Sequence, residues 1–221
     1  MDPRTRLDEK EKRNVPEPIQ KLLAYDVELT RRFVSFSLNF VPIRSLKTHC
    51  KFLEYSCHGI VWLAGLLAFC WLVDKPDWYQ TQMNLLFGLV LDIIFVAIIK
   101  AATRRRRPTV NDDIFSLGPD KFSFPSGHAS RASLLLFFFT MLDPVSYIFW
   151  PPIFAWATSV ALSRLLLYRH HILDVLAGVL LGFFEAALLG VLWLEKDTAF
   201  MLMNWLSEER LPGSATQEDT F

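Results

Sequence analysis

Residues 163–174, SRLLLYRHHILD, put two histidines, two arginines and an aspartate into twelve positions. His170 and Asp174 are four apart, so on a helical turn they share a face and the carboxylate holds one ring nitrogen of His170. Held that way, the imidazole keeps one tautomer and offers its other nitrogen as a nucleophile. His171 competes for the role, but it faces about 100° away and has Val175 at its own i+4 position. The same His/Asp pair also serves as a structural hydrogen bond.

A second stretch, FPSGHAS at 124–130, stands three residues before the apolar run LLLFFFTML. Proline suits a first helical turn, serine caps, and glycine lets a ligand approach the backbone. Such a helix start directs unpaired N–H groups and the positive end of a dipole at an anion. His128, in the first turn, is placed to donate a proton to a leaving oxygen. The bland alternative is an ordinary cap with a surface histidine.

The third stretch is KAATRRRRP at 100–108. If a helix continues through it, Lys100, Arg104 and Arg107 fall at i, i+4 and i+7 on one stripe, and Pro108 turns the chain after Arg107. A topogenic or headgroup-binding basic segment fits the same residues. Together the three stretches supply fixed cations, a helix N-terminus, one histidine to attack and another to protonate. That inventory suits phosphoryl transfer, in which positioning and charge neutralisation supply most of the rate. There is no Walker-type loop, HExxH or acidic metal cage. The expected route is a phosphohistidine with no metal and no cofactor.

The elements that must position these groups are apolar. Of 221 residues 52% are hydrophobic, with 19 Phe and 7 Trp, and a net charge of zero hides a strong segregation. Charges crowd the first 54 positions, residues 100–121 and the C-terminal tail. Between them lie five candidate spans, roughly 55–73, 84–100, 126–142, 145–167 and 175–194, judged against the ~20 apolar residues that cross a bilayer. The second and third are short, and Pro151-Pro152 should kink or delay the fourth helix. No secretory signal is visible.

Residues 18–36 carry Ile19, Leu22, Leu23, Val27 and Phe33 among charges at near-helical spacing, an amphipathic helix on the membrane surface or else a soluble arm. The expected fold is an all-α polytopic membrane helix bundle of about five spans plus this interfacial helix. Its expected parts are a basic arm at 1–53, a membrane-embedded domain at 54–195 and a polar tail at 196–221, with a disordered end from Ser207. Cys50, Cys57 and Cys70 have no metal-type spacing and read as small apolar residues. Asp92 and Glu185, at bilayer depth, are expected to face the bundle interior, and His58 to be an interhelical partner. With five crossings, all of the 23 Lys and Arg except Lys75, Lys196 and Arg210 share one face. The positive-inside rule makes that face, and the three chemical stretches on it, cytoplasmic.

The three stretches match the blocks KxxxxxxRP, PSGH and SRxxxxxHxxxD at all 11 specified positions. In this the chain resembles the type 2 phosphatidic acid phosphatase superfamily of lipid phosphatases. The resemblance implies that Lys100, Arg107 and Arg164 hold phosphate oxygens, helped by Ser126 and the Gly127 backbone. It also implies that His170 attacks phosphorus, Asp174 orients it and His128 protonates the leaving group. Arg104, Arg105 and Arg106 are not block positions and stay topogenic or lipid-contacting charges. Many members have six membrane helices, against five clear spans here.

Through its length, CHGIVWL and KFSFPSGHASRA, the chain is most similar to the branch of polyisoprenoid diphosphate/phosphate phosphohydrolases, or presqualene diphosphate phosphatases. That branch implies farnesyl, geranylgeranyl or presqualene diphosphate as substrate, at the endoplasmic reticulum and nuclear envelope. The expected partners are a lipid-tailed substrate and membrane lipids, with no nucleic acid; a homo-oligomer is compatible with the sequence. The competing readings are a phosphatidate or sphingoid-phosphate phosphatase, a catalytically silent scaffold, and a transporter, whose titratable groups would sit at the midplane.

Overall fold

The five apolar runs all become helix, and among the described residues three further helices form where the sequence is more polar. A computed structural model of the protein describes residues 16–39, 43–108 and 122–208. Its elements are α1 (Glu17–Leu38), α2 (Ile43–Ser56), α3 (Gly59–Leu72), α4 (Pro76–Thr103), α5 (Gly127–Phe137), α6 (Trp150–Leu166), α7 (Ile172–Val191) and α8 (Lys196–Glu208). A π-helical turn, Phe138–Leu142, extends α5, and a 3-10 turn, Tyr147–Phe149, leads into α6. Among the described residues the only β pairing is the isolated bridge between Arg106 and Phe122. The all-α expectation therefore holds there.

By length and composition α4 and α7 are able to cross a membrane, and Thr48–Ser56 with Gly59–Leu72 forms a third, broken segment bent by 47°. α5 and α6 are shorter, at 11 and 17 residues. Pro151 and Pro152 sit in the first turn of α6, where the missing N–H groups cost nothing, so they delay the helix instead of kinking it. α4 is far longer than the span read from sequence, because polar residues at its start are paired. Gln82 Nε2 donates to the Val73 carbonyl, while Asn84 exchanges hydrogen bonds with the Leu194 backbone at 2.9 and 3.0 Å. α8 occupies the start of what the sequence read as a polar tail. Its Ala199 and Met203 bury against Tyr79 and Met83 of α4.

α5 lies against α7 on small residues. The hypothetical Cβ of Gly178 would meet the Ser126 carbonyl oxygen at 2.4 Å, and that of Gly182 the Ser130 carbonyl oxygen at 2.1 Å. This is the close backbone approach that a glycine four residues from another permits. Leu66, Leu85, Leu89, Leu135, Phe138 and Leu189 then close a core shared by α3, α4, α5 and α7. Outward faces stay apolar, as Ile94 and Ile98 on α4 and Leu180, Phe183 and Phe184 on α7 show, and suit contact with lipid. Gly182→Ala is expected to destabilise the protein at the upper end of the ~1–3 kcal/mol typical of overpacking, since a carbonyl oxygen cannot give way as a side chain does. A thermal midpoint in detergent equal to wild type would contradict this.

Candidate active site

The turn between α6 and α7 is built by a C-cap. Tyr168, at φ 55°, takes the left-handed position usually given to glycine. Its N–H donates to the Leu165 carbonyl at 2.8 Å and that of Arg169 to the Arg164 carbonyl at 3.1 Å, the pair of bonds that defines a Schellman motif. The chain is thereby reversed within a few residues. His170 is left 2% exposed beside the start of α7.

The ring of His170 is oriented by a backbone oxygen. Its Nδ1–H donates to the carbonyl of Ser123 at 2.8 Å. A carbonyl only accepts, so this bond fixes the proton on Nδ1 and leaves Nε2 with its lone pair. Asp174 lies 3.9 Å from Nδ1, beyond hydrogen-bond range. The expected direct His170–Asp174 pair is corrected accordingly. α7 begins only at Ile172, so the two residues do not share a helical face. Asp174 Oδ2 instead accepts the His171 N–H at 2.8 Å and lies 3.2 Å from His171 Nδ1, in a capping box that starts α7.

Ser123 is held in turn by the basic segment. α4 ends at Thr103, and Arg104 takes a left-handed C-cap conformation at φ 51°. The expected stripe of Lys100, Arg104 and Arg107 along one helix therefore does not form. Residues 105–107 run beside 122–123 instead. The Ser123 N–H donates to the Arg105 carbonyl at 2.7 Å, and Arg107 Nε to the Phe122 carbonyl at 3.3 Å. Arg105, which the sequence left among topogenic charges, is 13% exposed and bridges Asp174 Oδ1 at 2.7 Å and Asp26 Oδ2 of α1 at 2.6 Å. In a run of four arginines no sequence signal singles it out.

Positive charge converges on His170. Burial first, then the charges of Arg107, Lys100 and Arg164, hold its ring well below the usual imidazole range against the opposing pull of Asp174. Lys100 is 4% and Arg164 1% exposed. Arg164 Nη1 pairs with Glu54 of α2 at 2.9 Å, and Arg169 approaches the same oxygen at 3.5 Å. Glu54 was not anticipated, because the sequence reading placed it at the edge of the arm.

The PSGH end faces this cluster. The Ser126 N–H donates to the Asp174 carbonyl at 2.9 Å, which ties the start of α5 to that of α7. Ser126 makes no side-chain cap, correcting that expectation; its Oγ and the Nε2 of His128 are both buried without a hydrogen-bond partner. Two such atoms two residues apart in sequence suit an oxygen-rich ligand, since a buried polar atom is rarely left unpaired. Gly127 serves packing as well as approach, its Cβ position lying 3.2 Å from Val96 Cγ1. The His58 ring meets that of His128 edge-on at 6.1 Å.

Below this, Arg131 Nη2 pairs with Asp92 at 2.6 Å and its Nη1 donates to the Cys57 carbonyl at 3.1 Å, while Ser130 donates to Glu185 at 3.1 Å. Asp92 and Glu185 therefore face the interior, as expected. Arg131 joins them there and drops out of the surface charges counted for orientation.

Residues 81–197 match the family model described as the PAP2 superfamily. The chain belongs to the PAP2 superfamily. The match covers α5, α6, α7 and most of α4, and so all three motif stretches of the PAP2 domain. Among similar proteins is one named "Probable lipid phosphate phosphatase beta" from Arabidopsis thaliana, 40% identical over 139 residues. That alignment covers 51% of this chain and 65% of the relative's own length. No solved structure matches.

Proposed function

We propose that this PAP2 protein is an integral membrane phosphohydrolase that removes phosphate from polyisoprenoid diphosphates and monophosphates through a phosphohistidine. The observation that carries the reading is the orientation of His170 by the Ser123 carbonyl, with Nε2 left for attack among the charges of Arg107, Lys100 and Arg164. Nε2 of His170 bonds to phosphorus as the bond from phosphorus to the leaving oxygen breaks, and Nε2–H of His128 gives that oxygen its proton. The leaving group is a lipid monophosphate from a diphosphate, or an alcohol from a monophosphate. Neutral His128 then takes a proton from water as the water attacks phosphorus. Inorganic phosphate leaves and His170 is regenerated.

Lys100, Arg107 and Arg164, with Ser126 Oγ and the Gly127 N–H, neutralise the oxygens. Asp174 acts at one remove, by capping the helix that follows His170. The site is proposed to face the cytoplasm of the endoplasmic reticulum and nuclear envelope in a five-crossing bundle, on the charge distribution and the branch resemblance.

Two apolar cavities beside the α2–α3 bend suit the tail. One of about 530 Å³ is lined by Trp62, Leu135, Phe139 and Trp156, and one of about 490 Å³ runs from Ser56 to Trp78 and shares Trp62 and Phe139. The second reading is a phosphatidate or sphingoid-phosphate phosphatase, favoured by the name of the Arabidopsis relative. Phosphate release by purified protein from farnesyl diphosphate, farnesyl phosphate and phosphatidate in one detergent separates the two. A higher kcat/KM for the isoprenoids is expected, and a clear preference for phosphatidate overturns that choice. Activity is expected to survive EDTA, because fixed cations supply the charge; loss with rescue by magnesium would point to another mechanism.

A further inference from the structure

We infer that Asp26, on the N-terminal helix α1, is a positioning residue for the active site, acting through Arg105 and the first turn of α7. It lies outside the residues matched to the family and is 3% exposed on a helix otherwise rich in surface charge. Its two oxygens do different things. Oδ2 takes Nη2 of Arg105 at 2.6 Å, and Oδ1 accepts the N–H of Leu173 at 3.1 Å. One helical turn on, Thr30 Oγ1 accepts the N–H of Ile172 at 3.1 Å and donates to the Asp26 carbonyl at 2.7 Å. Two of the N–H groups that a helix leaves open at its start are thus satisfied on α7 by another helix.

The connection reaches the nucleophile in a few steps. Arg105 carries the charge of Asp26 to Asp174 at 2.7 Å, Asp174 holds the His171 N–H at 2.8 Å, and His171 adjoins His170. Here one guanidinium is shared by two carboxylates, all three groups 13% exposed or less. Without the charge at 26, the fork of Arg105 is free to close on Asp174 with both nitrogens. That withdraws the oxygen holding His171 and loosens the turn that aims His170. Phe33 of α1 packs with Leu165, Val175 and Ala129 on the same side, whereas Leu22, Tyr25, Leu29 and Phe36 are exposed on α1. The helix is therefore clasped to the site along one face only.

The inference rests on the proposed site, and its test has one kinetic and one structural arm, both on the full chain. Asp26→Asn keeps an acceptor for Leu173 and removes the charge; Asp26→Ala removes both. We expect kcat for farnesyl diphosphate to fall about tenfold in the first and further in the second, with KM within about twofold because the phosphate-holding cations are untouched. Asp26→Glu is expected to restore much of the rate, and Glu28→Gln, on the exposed side of the same helix, to match wild type. Amide exchange should rise across 167–174 in Asp26→Ala and stay unchanged in the middle of α4.

Wild-type kcat in both Asp26 variants, unchanged exchange at 167–174, or a loss that only follows the amount of folded protein overturns the inference. A wild-type protein that releases no phosphate, together with raised exchange at 167–174 in Asp26→Ala, sinks the proposed reaction and leaves the positioning role standing.

Discussion

His170→Ala is expected to lower phosphate release by roughly 10⁴-fold or more while the protein still folds and inserts. The size follows from what is removed. His170 is the proposed nucleophile, its ring aimed by the Ser123 carbonyl among the charges of Arg107, Lys100 and Arg164, and loss of a covalent nucleophile costs far more than loss of a binding contact. The neighbouring His171 is not expected to substitute, because its Nδ1 and N–H tie it to Asp174 in the cap of α7, a different anchor from the Ser123 carbonyl that aims His170. Full activity in the variant would end the phosphohistidine reading.

The pH profile of kcat/KM is a companion measurement. Attack requires neutral Nε2, and burial with the surrounding cations holds the ring neutral below the pH at which a free imidazole, near 6.5, would take up a proton. The acid limb is therefore expected below pH 6.5, activity being lost only as pH falls through the depressed value. An acid limb at or above 6.5, with chemistry limiting the rate, contradicts this assignment.

His128→Gln is expected to lower kcat by about 10²–10⁴-fold, the usual worth of a general acid. The loss should depend on the leaving group. An alkoxide departing from farnesyl phosphate is strongly basic and needs the proton, whereas the monophosphate departing from farnesyl diphosphate is not. The monophosphate substrate should suffer more. Equal losses for both would remove His128 from proton donation and leave it only a part of the oxyanion-binding floor.

The residues of the candidate site were more legible than the scaffold. PSGH, the arginines of 100–108 and the His/Asp turn were each visible as residue types, and the structure brings them together. What the sequence misplaced were relations that depend on where helices stop. His170 and Asp174 look like an i,i+4 pair, but a left-handed Tyr168 and a helix starting at Ile172 separate them. Lys100, Arg104 and Arg107 look like a stripe, but α4 ends at Thr103.

Arg105 was invisible because its importance lies in two acids far away in the chain. Asp26 was invisible for the same reason, one carboxylate among many on a charged helix. α2 and α8 were missed because their apolar faces are narrow, and such helices are read as polar until a partner is known. The Gly178/Gly182 pair was readable as a spacing, though not its partner.

The seat of α5 on that pair has a further consequence for an enzyme in a fluid sheet of variable thickness. With the Ser126 and Ser130 carbonyls pressed against Gly178 and Gly182 and the Ser126 N–H bonded to the Asp174 carbonyl, the start of α5 cannot slide along α7 without breaking these contacts. Stretching or thinning of the surrounding lipid is therefore expected to tilt the outer helices before it changes the spacing of the proposed donor His128 from the start of α7.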